Sequence, residues 1–152
     1  MSAEERARGH FDSGYNCAQS VLLAVSQQLG VKTDLAESPI PKMATGFGGG
    51  IARNGDTCGA LSGAIMSISL ALGCNGPNES RDSCYKATDL FYNEFLQKFG
   101  TCNCRKLTGA DLKTEAGLEE LHARIRYEVC DKIVGWSGRR ACQIIQALSG
   151  QR

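Results

Sequence analysis

The chain has 152 residues, of which 42% are hydrophobic and 22% are charged, and its formal net charge is +1. A chain of this length fits one domain and can bury a core without covalent cross-links. The near-neutral charge gives no electrostatic reason to expect a nucleic acid or an anionic membrane as a partner. We therefore expect one globular domain over residues 1–152 that binds neither of them.

The cysteine content is the unusual feature of the composition. Eight cysteines are about 5% of the chain, which is below the level of a disulfide-framework miniprotein. The amino terminus is polar and has no apolar run of signal-peptide length, and no uncharged stretch is apolar enough to cross a bilayer. These features predict a cytoplasmic protein, and there clustered cysteines more often serve metal or redox chemistry than structural disulfides.

Apolar residues recur at helical spacing along most of the chain, whereas the alternation typical of strands is scarce. Ser2, followed three residues later by Glu5, predicts a capping box at the start of a short first helix. Asn16 is the expected N-cap of a second helix, which begins near Cys17 and ends at Gly30.

The middle of the sequence predicts a connector, a loop and a central helix. Residues 32–42 hold two prolines and are expected to connect helices, and residues 46–55 form a glycine-rich loop. Asp56 or Thr57 is the expected N-cap of the next helix, which runs from Cys58 to Leu72. This helix carries no charge and mixes large apolar with small residues, so most of its sides should be buried. We expect it to be the buried centre of the fold.

The last third predicts further helices. One runs from Ser80 to Phe99, and the candidates for its buried face are Tyr85, Leu90, Phe91, Phe95 and Phe99. Residues 101–109 are expected to be irregular, and a later helix ends near Cys130 because apolar residues recur before it at helical spacing. A separate final helix lies around Arg139 to Leu148. The expected fold is therefore all-α, a single-domain bundle of about five to seven helices around the buried central helix.

Four cysteines lie in segments that resemble one known family. The segments are GYNCAQSV at residues 14–21, GGGIARNGDTCGALSG at residues 48–63, CRKLTG at residues 104–109, and Cys130 within a predicted helix. From about Gly9 to Leu148 the chain resembles the C_GCAxxG_C_C family of putative redox-active proteins. The resemblance implies an electron-transfer or redox-sensing protein with a prosthetic group such as an iron–sulfur cluster. It also implies that the metal ligands are Cys17, Cys58, Cys104 and Cys130.

The residues support this interpretation in two ways. Thiolates are the usual ligands of iron–sulfur clusters, and four of them satisfy either a [2Fe–2S] or a [4Fe–4S] cluster. Cys17 and Cys58 are predicted at helix starts, where free backbone N–H groups and the helix dipole favour a thiolate. The charges of Arg105 and Lys106 are expected to do the same for Cys104.

The glycine loop is the expected second component of the site. Gly48, Gly49 and Gly50 would bring backbone N–H groups close to the cluster sulfides, and hydrogen bonds of this kind tune the reduction potential. A nucleotide site is not predicted here, because the loop lacks the G-x-x-x-x-G-K-[ST] sequence and follows no strand pattern.

Several alternatives stay open at the level of sequence. Cys102 lies two residues from Cys104 and could replace it as a ligand, or pair with it or with a distant thiol. Cys74, Cys84 and Cys142 are expected to be structural or incidental. A metal-free thiol–disulfide protein or a structural zinc domain is the alternative to a cluster, although the C-x-x-C motifs typical of both are missing from the sequence. A helical interaction protein with inert thiols is a further alternative.

No catalysed reaction can be assigned, because the sequence has no recognisable Ser/His/Asp or Cys/His motif. The expected partner is an unidentified redox protein. The small residues Gly59 and Gly63 would allow close helix packing within one chain or between two copies, and we expect a homodimer.

Overall fold

The computed structural model describes residues 1–31 and 38–150. The helices are α1 (Ala3–Asp12), α2 (Cys17–Gln28), α3 (Ile40–Met43), α4 (Gly59–Leu72), α5 (Asp82–Phe99), α6 (Cys104–Thr108), α7 (Glu115–Glu120) and α8 (Asp131–Ser149), with a 3-10 turn at Thr45–Phe47 and a π-helix at Leu121–Cys130. The described residues contain no β-strand, so the predicted all-α class is confirmed. α7, the π-helix and α8 follow one another without a break and count as one long helix. Together with α1 to α6, the described residues then form seven helices. No helix in these ranges has the length and apolarity that a membrane span requires.

The predicted capping box at Ser2 and the predicted N-cap at Asn16 are both present, and Asn16 also forms a capping box with Gln19. The Ser2 hydroxyl accepts from the Glu5 N–H, and the Glu5 carboxylate accepts from the Ser2 N–H at 2.7 Å. The Asn16 side chain accepts from the Gln19 N–H at 2.9 Å, and the Gln19 side chain accepts in return from the Asn16 N–H at 3.1 Å. Cys17 is therefore the first residue of α2, as predicted.

Helix α4 is the buried centre of the fold, as its composition predicted. Ile68 is fully buried and Ile65 is partly buried against the main core, and α4 packs on α2, α5 and α8. The predicted N-cap is wrong, because α4 begins at Gly59 and Cys58 occupies the cap position. Thr57 pairs instead with Asn103 in an isolated antiparallel bridge.

The small-residue face of α4 packs within the chain. A Cβ atom added at Gly63 would overlap the Ala18 carbonyl oxygen, so the absence of a side chain lets α2 and α4 approach closely. This contact occupies the face that suggested a second copy. The homodimer stays a prediction.

The predicted buried face of α5 is partly wrong. The fully or nearly buried positions are Cys84, Ala87, Phe91 and Phe95. Their spacing defines one helix face, which leaves Tyr85 (66% exposed) and Leu90 (41% exposed) on the other side. The helix also begins at Asp82 and not at Ser80.

The predicted gap before the final helix is wrong as well. One continuous helix runs from residue 115 to residue 149, so Cys130 lies in its middle. Gly135 and Gly138 lie inside this helix, and both are buried where α8 packs closely against α1. Tertiary packing therefore explains these two glycines.

The two predicted irregular regions also contain helix. Within residues 101–109, α6 begins after Asn103, whose side chain accepts from the Lys106 N–H at 3.0 Å. Of the predicted connector, residues 32–37 lie outside the described residues, and the remainder leads into α3.

Candidate cysteine centre

Four cysteines that are far apart in sequence line one interior cavity. They are the four predicted ligands, Cys17, Cys58, Cys104 and Cys130. The other walls are Ala60, Leu107, Thr108, Ile133 and Val134. The cavity has a volume of about 20 Å³, which is room for about one water molecule. The structure thus brings all four residues together, while their role as ligands stays a prediction.

Each of the four cysteines comes from a different element. Cys17 opens α2, Cys58 precedes α4, Cys104 opens α6 and Cys130 ends the π-helix. Gly59 makes room for the first of them, because a Cβ atom there would overlap the Cys17 sulfur. π-Helical turns are rare and occur frequently at functional sites, which fits the position of Cys130.

A short backbone clamp holds two of the cysteines side by side. The segment before α4 and the segment before α6 pair as an antiparallel bridge. The Cys58 N–H donates to the Cys102 carbonyl and the Cys104 N–H donates to the Asp56 carbonyl, both at 2.7 Å. These bonds fix Cys58 and Cys104 on neighbouring stretches of chain, although nothing in the local sequence patterns predicted the pairing.

The glycine loop adopts an unusual conformation beside the cavity. Residues 49–53 all have positive φ, from 48° at Ala52 to 68° at Gly50, and three of the five are not glycine. Each such L-residue costs roughly 1–2 kcal/mol. Backbone bonds hold the turn, among them those from the Gly55 N–H to the Gly49 carbonyl (3.1 Å) and from the Asp56 N–H to the Gly50 carbonyl (2.9 Å). Strain of this kind concentrates at functional sites.

The three predicted loop glycines differ in what they contact. The Gly49 N–H is directed at the Cys17 sulfur, which is the type of contact that was expected. Gly50 supplies space, because a Cβ atom there would lie 2.6 Å from the Cys104 Cβ atom. Gly48 packs against the N-cap side chain of α2. A contact of these glycines with a cofactor stays a prediction.

Burial dominates the electrostatics of the centre. It raises the pKa of Cys17, raises that of Cys58 well above its usual value, and raises those of Cys104 and Cys130 to about 11 and about 12. The charge of the neighbouring Cys17 thiolate adds to the rise of the pKa at the other three. The four groups are therefore neutral thiols at neutral pH.

The expectation that helix starts and nearby cations would favour thiolates is wrong for the free thiols. The N–H groups of Gly49 and Gly59 do lower the pKa of Cys17, and those of Ala60 and Leu61 lower that of Cys58. Burial outweighs them, because an apolar enclosure penalises the charged form. A bound cation would reverse this balance, since a coordinating thiol is deprotonated outright.

The other cysteines lie away from the cavity. Cys102 is half-buried with its thiol beside the Tyr92 hydroxyl, where the charge of its thiolate raises the pKa of Tyr92. Cys84 donates to the Ser69 hydroxyl at 3.7 Å, and burial in the core raises the pKa of Cys142 to about 11. Cys74 follows the end of α4 and is half-buried. All eight cysteines are free thiols.

Sequence reasoning missed the apolar walls of the site. Ile133 and Val134 follow Cys130 by one helical turn, so a prediction of continuous helix would have found them. Thr108 lies on α6, where its hydroxyl donates to the Cys104 carbonyl at 2.8 Å.

Comparison with known proteins identifies the family. Residues 15–144 match the family described as "Putative redox-active protein (C_GCAxxG_C_C)". An uncharacterized protein of Archaeoglobus fulgidus is 32% identical in an alignment 100 residues long, and the match covers 60% of this chain and 64% of that protein. The chain thus spans just under two thirds of the length of this curated relative, and no solved structure matches it. Because the match covers most of the residues, the chain belongs to the C_GCAxxG_C_C family of putative redox-active proteins.

Proposed function

We propose that the protein carries electrons through an iron–sulfur cluster held by Cys17, Cys58, Cys104 and Cys130. One observation carries the proposal: four cysteines from four separate elements line one buried cavity. Inert core thiols have no reason to converge in this way. The family's description as redox-active supports the same class of function.

The donor set suits an iron–sulfur cluster. Four thiolates satisfy a [2Fe–2S] or a [4Fe–4S] cluster. Among the described residues, no group of three or more His, Cys, Asp or Glu side chains is arranged to hold one metal ion. A structural zinc site needs four ligands at about 2.0–2.3 Å from one ion, whereas a cluster spreads its ligands over several iron atoms. Zinc held by the same four thiolates is the alternative, and acid-labile sulfide distinguishes the two.

The walls must move apart when a cluster binds. The cavity of about 20 Å³ holds about one water molecule, which is too little for iron and sulfide atoms. Among the walls, the five-residue helix α6 has the least helical support, and the strained glycine loop lies behind Cys17 and Cys104. Leu107, Ile133 and Val134 would then exclude water, and exclusion of solvent tunes the reduction potential.

The chain also offers donors for the charge of the bound thiolates. The N–H groups of Gly49 and Gly59 point at the Cys17 sulfur, and those of Ala60 and Leu61 point at the Cys58 sulfur. A bound cluster supplies one-electron redox chemistry, and donors of this kind raise its potential by stabilising negative charge at sulfur.

The proposal includes a cytoplasmic location and a protein redox partner. The eight free thiols are consistent with a reducing compartment. Disulfide exchange with an external protein is less well supported as the main activity, because the four thiols line an interior cavity away from the surface that an external protein could contact.

Anaerobic purification from iron-supplied cells tests the proposal. We expect iron and acid-labile sulfide in equal amounts, with the visible absorption of a cluster. Cys58→Ser should abolish both, whereas Cys142→Ser is the matched control because Cys142 is buried but lies outside the cavity. Circular dichroism should give unchanged helical content for both variants. Wild-type iron in Cys58→Ser, or zinc without sulfide in the natural chain, would contradict the proposal.

A further inference from the structure

A fifth cysteine lies opposite one of the four across the backbone clamp. Thr57 and Asn103 form the antiparallel bridge, so Cys58 and Cys102 are the next opposing pair, joined by the bond from the Cys58 N–H to the Cys102 carbonyl at 2.7 Å. Opposing residues of an antiparallel pair have Cα atoms about 4.5–5.5 Å apart and side chains on the same face. A disulfide spans Cα atoms about 4.4–6.8 Å apart. The backbone therefore holds Cys58 and Cys102 at a separation that a disulfide can bridge.

The two thiols differ in their access to solvent. Cys58 is 7% exposed and faces the cavity, whereas Cys102 is half-buried and its thiol lies beside Tyr92, which is 38% exposed. An oxidant in solution thus reaches Cys102 before Cys58. Rotation of the Cys102 side chain about its first torsion angle, which leaves the clamp intact, would turn its sulfur from Tyr92 towards Cys58.

We propose that Cys102 and Cys58 form a dithiol–disulfide couple that is oxidised by hydroperoxides. The Cys102 sulfur first attacks the peroxide, whose O–O bond breaks, and a sulfenic acid forms while one water molecule leaves. The Cys58 sulfur then attacks the Cys102 sulfur, the S–S bond forms, and the sulfenic oxygen leaves as a second water molecule with the remaining thiol proton. Two thiols and one hydrogen peroxide thus give one disulfide and two water molecules, and two electrons pass from sulfur to oxygen. A dithiol reductant reverses the couple.

The couple stands without any cluster, but one consequence of it rests on the proposed function. A disulfide at Cys58 removes one of the four ligands, so peroxide would release iron from the protein and a dithiol would restore its capacity to bind iron. Oxidation by peroxide, which is a two-electron reaction, would then control whether the one-electron cluster is present.

The test uses the full metal-free chain, fully reduced and then treated anaerobically with one equivalent of hydrogen peroxide. We expect the thiol count under denaturing conditions to fall by two from eight. Tryptic digestion should link residues 54–81 to residues 99–105. Fragmentation of the linked peptides should place the bond between Cys58 and Cys102, and not at Cys74 or Cys104.

Two variants test the choice of residues. Cys102→Ser should form the link between the two peptides at least about tenfold more slowly, because Cys58, the other member of the couple, is buried. Cys142→Ser should lose two thiols at the natural rate. A bond mapped to any pair without Cys102, or an unchanged rate in a Cys102→Ser protein of native helical content, would overturn the inference. If the purified protein contains no iron but this disulfide forms, the proposed function is wrong and the couple stands. If the purified protein contains the cluster but no such disulfide forms, the couple is wrong and the proposed function stands.

Discussion

The contact between Gly59 and Cys17 gives a direct test of how tightly the centre is built. A Cβ atom at residue 59 would overlap the Cys17 sulfur and would lie 2.9 Å from the Phe47 carbonyl oxygen and 3.2 Å from the Ala18 nitrogen. Two of these three neighbours are backbone atoms, which cannot turn away as a flexible side chain can. Gly59→Ala therefore forces either the thiol out of the cavity or α2 away from α4.

Two opposing effects set how much Gly59→Ala changes the free energy of unfolding. Alanine in place of glycine in a helix gains roughly 0.8–1.0 kcal/mol, whereas overpacking a well-filled contact costs roughly 1–3 kcal/mol. The rigid neighbours place Gly59→Ala in the upper part of the second range, so we expect a net loss of about 1–2 kcal/mol. For a chain of this length that is a fall in Tm of roughly 2–8 °C.

Urea unfolding of the metal-free protein measures this loss, and Gly9→Ala is the matched control. A Cβ atom at Gly9 meets nothing within 4 Å, and the residue lies inside α1. The control should therefore gain roughly 0.8–1.0 kcal/mol. Iron bound after reconstitution should fall in Gly59→Ala and stay unchanged in Gly9→Ala. If Gly59→Ala were as stable as the control and bound iron normally, the inferred packing of Cys17 would be wrong.

Three further predictions follow from the strain and the raised pKa values of the centre. Ala52→Gly should raise the free energy of unfolding by about 1 kcal/mol, because it relieves a positive φ in a non-glycine residue, and a loss of stability in urea would contradict the strain. Reconstitution of the cluster at neutral pH should release about four protons per cluster from the thiols, in addition to those that the added hydrosulfide loses on becoming sulfide, since the four thiols start protonated, and a pH-stat that records only the hydrosulfide protons would contradict their neutral state. Between pH 9 and pH 12 the metal-free protein should lose stability, because its thiols ionise more easily in the unfolded chain than in the folded one. The pKa of a thiol is near the usual 9.0 in the unfolded chain, whereas the pKa values of Cys104 and Cys130 in the folded protein are about 11 and about 12. Thermal unfolding should show a smaller loss of stability over this pH range for Cys130→Ala than for the natural chain, and equal losses in the two proteins would refute burial of the thiols as the cause.

The helical fold could be predicted because its signals are local. The capping boxes at Ser2 and Asn16 depend on residues three apart, and the uncharged α4 could be recognised from its own composition. The break expected before Arg139 is wrong, because the packing in this part of the helix is not local. Gly135 and Gly138 are explained by the close approach of α1, which no local pattern records.

The positions of the four cysteines could be predicted from their resemblance to a family, but their environment could not. Positive φ at Ile51, Ala52 and Arg53 is held by backbone bonds formed in the folded loop, so the residue types give no sign of it. The expectation of thiolates was wrong because it took account of local dipoles and cations but not of burial. The apolar walls outweigh the N–H groups at Cys17 and Cys58, and these walls come from parts of the chain that are far away in sequence.

The centre has one fixed half and one half that can move, and this division connects the two proposals. Cys17 and Cys130 lie on long helices, and next to Cys130 the Asp131 carboxylate accepts from Arg8 of α1 at 2.5 Å. Cys58 and Cys104 lie on the two clamped segments, Cys58 just before α4 and Cys104 at the start of α6. Room for the proposed cluster would therefore come from movement of these two segments together. The proposed disulfide would form within that same clamp, so a cluster and a disulfide compete both for the Cys58 sulfur and for the position of the backbone that carries it.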